Sequence, residues 1–268
     1  MSKTWYSQTV PALEKFGVVG WLRVVARGAP LVSLIFGGLV LLLLVRLAER
    51  PLCGLRRPVT PWITQGVCRG TLALLGIGYH RHGQLMDDPG IVVSNHVSWL
   101  DIFALNAGQR IYFVAKTDVA GWPGIGWLAR ATGTAFIRRD PAQARAQVET
   151  FRSRLVAGHL LMLFPEGTST DGLQVLPFKS TLFAALTEPG LAVQPVSIVY
   201  TAPPGADPRF YGWWGDMGFG PHLLAVLARA RQGRVTIRYH PPVQVADHFG
   251  RKALARVAED AVRAGVIG

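Results

Sequence analysis

Eighteen consecutive residues, 28–45 (GAPLVSLIFGGLVLLLLV), carry no charge. A helix over them would be about 27 Å long, at the lower edge of what crosses a bilayer core. The run starts too far into the chain and is too long for a typical signal-peptide core, and no small-residue cleavage site follows it. Pro30 and the Gly37-Gly38 pair allow a bend or a re-entrant hairpin inside it. A second apolar stretch, residues 61–77, is interrupted by Gln65 and Arg69 and reads as an interfacial helix.

A buried helix of a soluble domain could have the same composition, so the surrounding charges decide. The formal net charge is +12, in a chain that is 50% hydrophobic and only 16% charged. Residues 1–86 hold ten Lys and Arg against Glu14 and Glu49, so +8 of that excess lies in the first third. Cations near anionic lipid contribute roughly 1 kcal/mol each, which suits a membrane-facing segment. The rest of the chain is nearly balanced, unlike a uniformly basic nucleic-acid binder, and no nucleic-acid partner is expected. Arg46, Arg50, Arg56 and Arg57 crowd the downstream flank of the apolar run, which places the following domain on the cytoplasmic side. Residues 1–77 are therefore expected to form a membrane-anchoring helical segment, and residues 78–268 a separate domain.

From residue 78 onward short apolar runs alternate with amphipathic ones. Strands are predicted at 90–94, 111–115, 134–137, 160–164, 193–200 and 235–239, most of them continuous Val/Ile/Leu/Phe stretches of the kind buried on both faces. Helices are predicted at 100–107, 124–131, 141–157, 181–186, 222–231 and 252–264, the third opening on Asp140-Pro141 as cap and first residue. This alternation predicts an α/β fold: a layered, largely parallel sheet flanked by helices. His80-Arg81-His82 alternates like a solvated edge strand. Cys53 and Cys68 are too few for a disulfide scaffold or a zinc site and read as small hydrophobes.

Three segments carry polar chemistry at predicted strand ends. After 90–94 comes Asn95-His96-Val97-Ser98-Trp99-Leu100-Asp101. A turn can bring His96 and Asp101 together, so that the carboxylate fixes one imidazole nitrogen and frees the other to accept a proton. Alone, the pair could equally be a helix cap and a solvated acid. After 160–164 comes Pro165-Glu166-Gly167-Thr168-Ser169-Thr170, whose acid, glycine and hydroxyls can bind a polar ligand or form a capped turn. Gly133-Thr134-Ala135-Phe136-Ile137-Arg138-Arg139 sets two guanidinium groups at a third strand end, suited to phosphate or carboxylate or to surface ion pairs. Ser98 lies near His96, but the chain has no G-x-S-x-G elbow: Gly167 to Asp171 fails at its last position. A serine nucleophile is therefore not expected.

Together these segments resemble the glycerolipid acyltransferase family, the bacterial 1-acylglycerol-3-phosphate acyltransferases in particular. Its H-x4-D block is matched by His96 and Asp101, its G-x-x-F-I-x-R block by Gly133, Phe136, Ile137 and Arg139, its F-P-E-G-T block by Phe164 to Thr168, and its V-x-P-V strand by Val193, Pro195 and Val196. The blocks occur in family order over roughly residues 85–200. The resemblance implies that His96 is the base, oriented by Asp101, and that the acceptor hydroxyl attacks an acyl thioester directly. It implies head-group binding by Arg139, Glu166, Gly167 and Thr168, with Lys116 sharing that role, Gly133 and Phe136 in the same substrate site, and Pro195 shaping the acyl pocket. The donor would be acyl carrier protein or coenzyme A thioester, with no cofactor and no metal, and the site of action the inner (cytoplasmic) membrane. The acceptor expected first is 1-acyl-sn-glycerol-3-phosphate, giving phosphatidic acid. Residues 97–107 and 211–222 (YGWWGDMGFGPH) are also similar to bacterial lyso-ornithine lipid acyltransferases, so that acceptor, or both, is the alternative. A non-catalytic membrane-binding protein is disfavoured by the intact His96/Asp101 and 164–168 blocks.

Overall fold

The computed structural model describes residues 4–7, 9, 11, 16–137, 144–184, 190–248 and 250–267. An α/β sheet occupies the centre, and its strands β1 (Gly78–His82), β2 (Gly90–Ser94), β3 (Tyr112–Lys116), β4 (Ala135–Ile137), β5 (Leu160–Leu163), β6 (Ala192–Thr201), β7 (Arg234–Tyr239) and β8 (Val243–Gln244) follow chain order. Their spatial order is β1-β7-β6-β2-β5-β3-β4, with β8 paired to β6 beyond that path. The block from β6 to β4 is parallel throughout, and β7 and β8 run antiparallel to β6. Parallel strands end together, so the residues after β2, β3, β4 and β5 emerge at one edge of the sheet. That edge is where open α/β sheets place their ligands.

The all-apolar central strands are buried on both faces, as their composition requires. One face carries Val92, Met162, Val196 and Ile198 against α2 (Thr60–Leu75), α3 (Asp101–Gly108) and α6 (Phe219–Ala228). The other carries Ile91, Val93, Leu161, Leu163 and Val193 against α5 (Ala144–Val156) and α7 (Gly250–Ile267). A short α4 (Ile125–Thr132) sits between β3 and β4. The predicted strands hold to within one or two residues, and β1 is the exposed edge that His80 to His82 suggested. The predicted helix at 181–186 is instead a single 3-10 turn, Ser180–Phe183, as far as the described residues run. The expected helix start at Pro141 lies outside the described residues.

The apolar run is neither bent back nor broken. It belongs to one 36-residue helix, α1 (Val18–Cys53), long and apolar enough to cross a membrane. Pro30 removes one ladder bond, which a helix of this length absorbs. The Gly37-Gly38 pair serves packing instead of a turn: a Cβ at Gly38 would collide with Val67 of α2, and one at Gly70 would lie 2.8 Å from Leu34 Cδ2 of α1. The two helices thus cross closely at small residues, and α2 adds Cys68, Leu72 and Leu75 to the core beneath the sheet.

Arginines complete the junction. Arg27 Nη1 donates to Leu227 O at 3.0 Å and to Arg229 O at 2.6 Å, and Arg23 donates to Ala228 O, at the C-terminus of α6. Arg69 Nε and Gln65 Nε2 donate to Ala107 O in the last turn of α3. Arg57 Nη1 donates to Ala131 O in the last turn of α4. Cations at helix C-termini satisfy orphan carbonyls and oppose the helix dipole. Three helices around the sheet are therefore capped from the N-terminal pair and the segment that joins it.

Replacing Gly38 by leucine should force α1 and α2 apart and cost about 1–3 kcal/mol, as overpacking does. Gly37, where an added Cβ meets nothing within 4 Å, should accept alanine without loss. Thermal unfolding of both variants in detergent separates the two positions.

Candidate active site

The turn after β2 is built so that residues 96 and 101 meet. Asp101 N–H donates to Ser98 O at 3.1 Å, closing the turn into the first residue of α3. The Asp101 carboxylate, fully buried, then accepts from the backbone N–H groups of Val97 (2.7 Å) and Ser98 (3.1 Å) through Oδ2. The same oxygen lies 2.7 Å from His96 Nδ1. An oxygen already accepting two N–H bonds is an acceptor here, so the Nδ1 proton points at it and Nε2 is left with its lone pair. The His96 side chain is 22% exposed, and its ring stacks on Phe164 at 4.1 Å between centroids.

The segment after β5 grips the backbone of His96 from both sides. Glu166 Oε1 accepts from His96 N at 2.7 Å, and Thr170 N donates to His96 O at 2.9 Å. Glu166 Oε2 accepts from Leu176 N at 2.9 Å, so this buried carboxyl ties its own loop to the histidine loop and faces inward. Burial pushes the Glu166 carboxyl up to about 8; the two N–H donors oppose that and the nearby Asp101 adds to it. Gly167 adopts the left-handed backbone that glycine tolerates, φ 72°, and its N–H donates to Phe164 O. Thr168 Oγ1 accepts from Trp5 N at 3.4 Å. Residues 5 and 6 therefore lie between this loop and residues 214–216, with Trp5 edge-on to Trp214 and Tyr6 bonded to Asp216.

The remaining expected residues divide. Lys116 is the last residue of β3, beside Ile137 of β4, at the same sheet edge as His96. Phe136 is half-buried in β4, next to Ala115. Arg139 lies outside the described residues. Gly133 ends α4 in the left-handed conformation, φ 89°, and a Cβ there would lie 2.9 Å from Arg57 Cζ. Its backbone shape and that contact are a sufficient reason for glycine. Pro195 is buried in β6 where the neighbouring strand passes from β7 to β8, a place that needs no N–H donor, and its carbonyl accepts from His240 N. Ser98 Oγ is buried with no hydrogen-bond partner among the described residues, and so makes no bond to His96.

Several contacts were not legible in the sequence, although Asn95 and Thr170 lie inside the segments it singled out. Tyr200 OH donates to Asp101 Oδ1 at 2.9 Å, Asn95 bridges to the backbone of β6, and Thr170 holds His96. All three act across 70 or more residues of chain, where no local spacing could reveal them. Residues 211–222 also reach the site: Trp213 N donates to Val97 O, and Trp99 Nε1 donates to His222 Nδ1 at 2.9 Å. Burial lowers the His222 pKa to about 4, so it stays neutral and accepts that bond.

A histidine–carboxylate pair thus stands at the carboxyl edge of the parallel sheet, held by an acid-glycine-threonine loop. The profile of the acyltransferase family matches residues 77–199, and the chain belongs to that family. It is 54% identical over 266 residues, 98% of its own length and 96% of the relative's, to the lyso-ornithine lipid O-acyltransferase of Rhodobacter capsulatus. It is 32% identical over 208 residues, 74% of this chain and 78% of the other, to the 1-acyl-sn-glycerol-3-phosphate acyltransferase of Neisseria meningitidis. The fold is shared with the crystal structure of the 1-acyl-sn-glycerophosphate acyltransferase PlsC of Thermotoga maritima: TM-score 0.66, 22% identity, 92% of this chain and 94% of that one.

The Glu166 carboxyl predicts a pH signature. Folding raises its pKa from 4.5 to about 8, so between those values the native state holds a proton that the unfolded chain releases. Its stabilising contribution is present at low pH and lost as pH rises through about 8. Glu166→Gln cannot titrate, so the stability gap between wild type and that variant should shrink from about pH 5 to pH 8. Thermal midpoints of both proteins across that range check it.

Proposed function

We propose that the chain is a membrane-bound O-acyltransferase that moves a fatty acyl group from an acyl thioester to the free hydroxyl of a lysolipid, and that this lysolipid is lyso-ornithine lipid. The 54% identity along almost the whole chain to an enzyme named for that acceptor carries the reading. It puts first the acceptor that the sequence ranked second. Residues 97–107 and 211–222, whose similarity to lyso-ornithine enzymes raised that alternative, meet each other at the site through the Trp213–Val97 and Trp99–His222 bonds. The 32% relative keeps 1-acyl-sn-glycerol-3-phosphate as the second reading.

In this mechanism His96 Nε2 takes the proton of the acceptor hydroxyl, and Asp101 stabilises the imidazolium through Nδ1–H. The oxygen attacks the thioester carbonyl carbon, the C–S bond breaks, and the departing thiolate of acyl carrier protein or coenzyme A takes the proton from His96. No acyl-enzyme forms. Glu166 serves by fixing the His96 backbone, so its contribution to acceptor binding is indirect. Arg139 and Lys116 supply positive charge for the acceptor's anionic group, a carboxylate in ornithine and a phosphate in the glycerol lipid, and Gly167 and Thr168 share in binding that head group. Phe136 and Gly133 belong to the same substrate site in this reading, and Pro195 shapes the acyl pocket. Residues 1–77 keep the protein on the inner membrane, α1 through its exposed apolar length and α2 while also closing the core.

His96→Ala should lower kcat by about 10²–10⁴-fold, the usual worth of a positioned base, while vesicle binding is unchanged. Turnover at the wild-type rate in that variant would remove His96 from the mechanism. Offered lyso-ornithine lipid and lysophosphatidic acid side by side with one acyl donor, the enzyme should acylate the ornithine lipid. Product from lysophosphatidic acid alone would overturn the acceptor assignment.

A further inference from the structure

The turn that carries His96 and Asp101 is fastened to β6 at both of its ends. At the first, Asn95 Nδ2 donates to Ile198 O at 2.9 Å, and Ile198 N donates to Asn95 Oδ1 at 2.9 Å. At the second, Tyr200 OH donates to Asp101 Oδ1 at 2.9 Å. Ile198 and Tyr200 are two residues apart in a strand and so share a face. Tyr200 is itself held rigidly, since β6 pairs it with Val235 of β7 and its ring lies 5.5 Å from that of Tyr211. Tyr211 is in turn bonded to Gln232 and to Gly233 N.

The two oxygens of Asp101 have different work. Oδ2 takes His96 Nδ1–H and the two backbone N–H groups. Among the described residues, Tyr200 is the donor to Oδ1. With Oδ1 unsatisfied, the buried carboxylate would draw in water or tilt about its Oδ2 bonds, and the imidazole would tilt with it.

We propose that Tyr200 is a positioning residue for acyl transfer: its hydroxyl holds the Asp101 carboxylate with Oδ2 aimed at His96 and draws off part of the carboxylate's charge. This rests on the reading of His96 as base. Burial and the neighbouring Asp101 push the Tyr200 phenol well above its ordinary range, so it stays a donor wherever the enzyme works. The other titratable groups facing this cluster are Glu166, from the loop after β5, and Tyr211, and the hydrogen bonds of both go to residues other than Tyr200.

The test compares pH profiles of kcat for wild type, Tyr200→Phe and a protein with 3-fluorotyrosine at position 200. Without the phenol, Asp101 keeps its full charge and stabilises the imidazolium more strongly, so the acid limb of kcat should move up by about half a pH unit. The plateau should fall about tenfold with KM for acceptor and donor unchanged, as expected for a loosened reacting geometry. The more acidic fluorophenol, nearly the same size, is a stronger donor, so its limb should move to lower pH with the plateau retained. An acid limb at the wild-type position in both variants, or an effect confined to KM, would overturn the proposal. Failure of the base reading itself would show separately, as wild-type turnover in His96→Ala.

Discussion

The structure turns on one buried carboxylate. Asp101 is fully excluded from solvent, and an unpaired charge there would cost several kcal/mol. Four donors prevent that: two backbone amides from its own turn, the imidazole of His96 and the hydroxyl of Tyr200. Each donor comes from a segment that the fold must deliver to the same place. The amides require the tight turn after β2, and the tyrosine requires β6 to lie directly beside β2. The loop after β5, the neighbour on the other side, then clamps His96 through Glu166 and Thr170. The β6-β2-β5 order of the sheet is therefore what assembles the pair.

The same economy applies to the positive charge of the first third of the chain. Five of its cations, Arg23, Arg27, Arg46, Arg57 and Arg69, donate to backbone carbonyls. Those of Arg23, Arg27, Arg57 and Arg69 close the C-termini of α6, α4 and α3, while Arg46 also holds the buried Glu49, which accepts from Val59 and Thr60 at the entry to α2. The charge excess that pointed to anionic lipid is thus partly structural. It locks the long apolar helix to the sheet, so whatever holds α1 also sets the orientation of the His96 edge.

What the sequence revealed follows the range of the interactions. Runs of Val, Ile and Leu gave the central strands almost residue for residue, because burial on both faces leaves a local mark in composition. The His96–Asp101 pair was legible for the same reason: six residues of one turn contain it. Tyr200, Thr170 and Asn95 were not, since their partners lie across the sheet. Glu166 was visible as an acid at a strand end, yet its inward orientation depends on the amides of His96 and Leu176. The Gly37-Gly38 pair misled because glycine permits both a turn and close helix packing, and only Val67 on the facing helix decides between them.

The most direct test is the protonation state of the His96 ring nitrogens. In protein labelled with ¹⁵N-histidine, with the His96 signals assigned by their loss in His96→Ala, NMR of the ring in its neutral form should show it protonated at Nδ1. That proton should be strongly deshielded by Asp101, with Nε2 bare and able to accept the hydroxyl proton of the acceptor. A ring protonated at Nε2 with Nδ1 bare would mean that Asp101 does not orient the histidine, and would contradict the account.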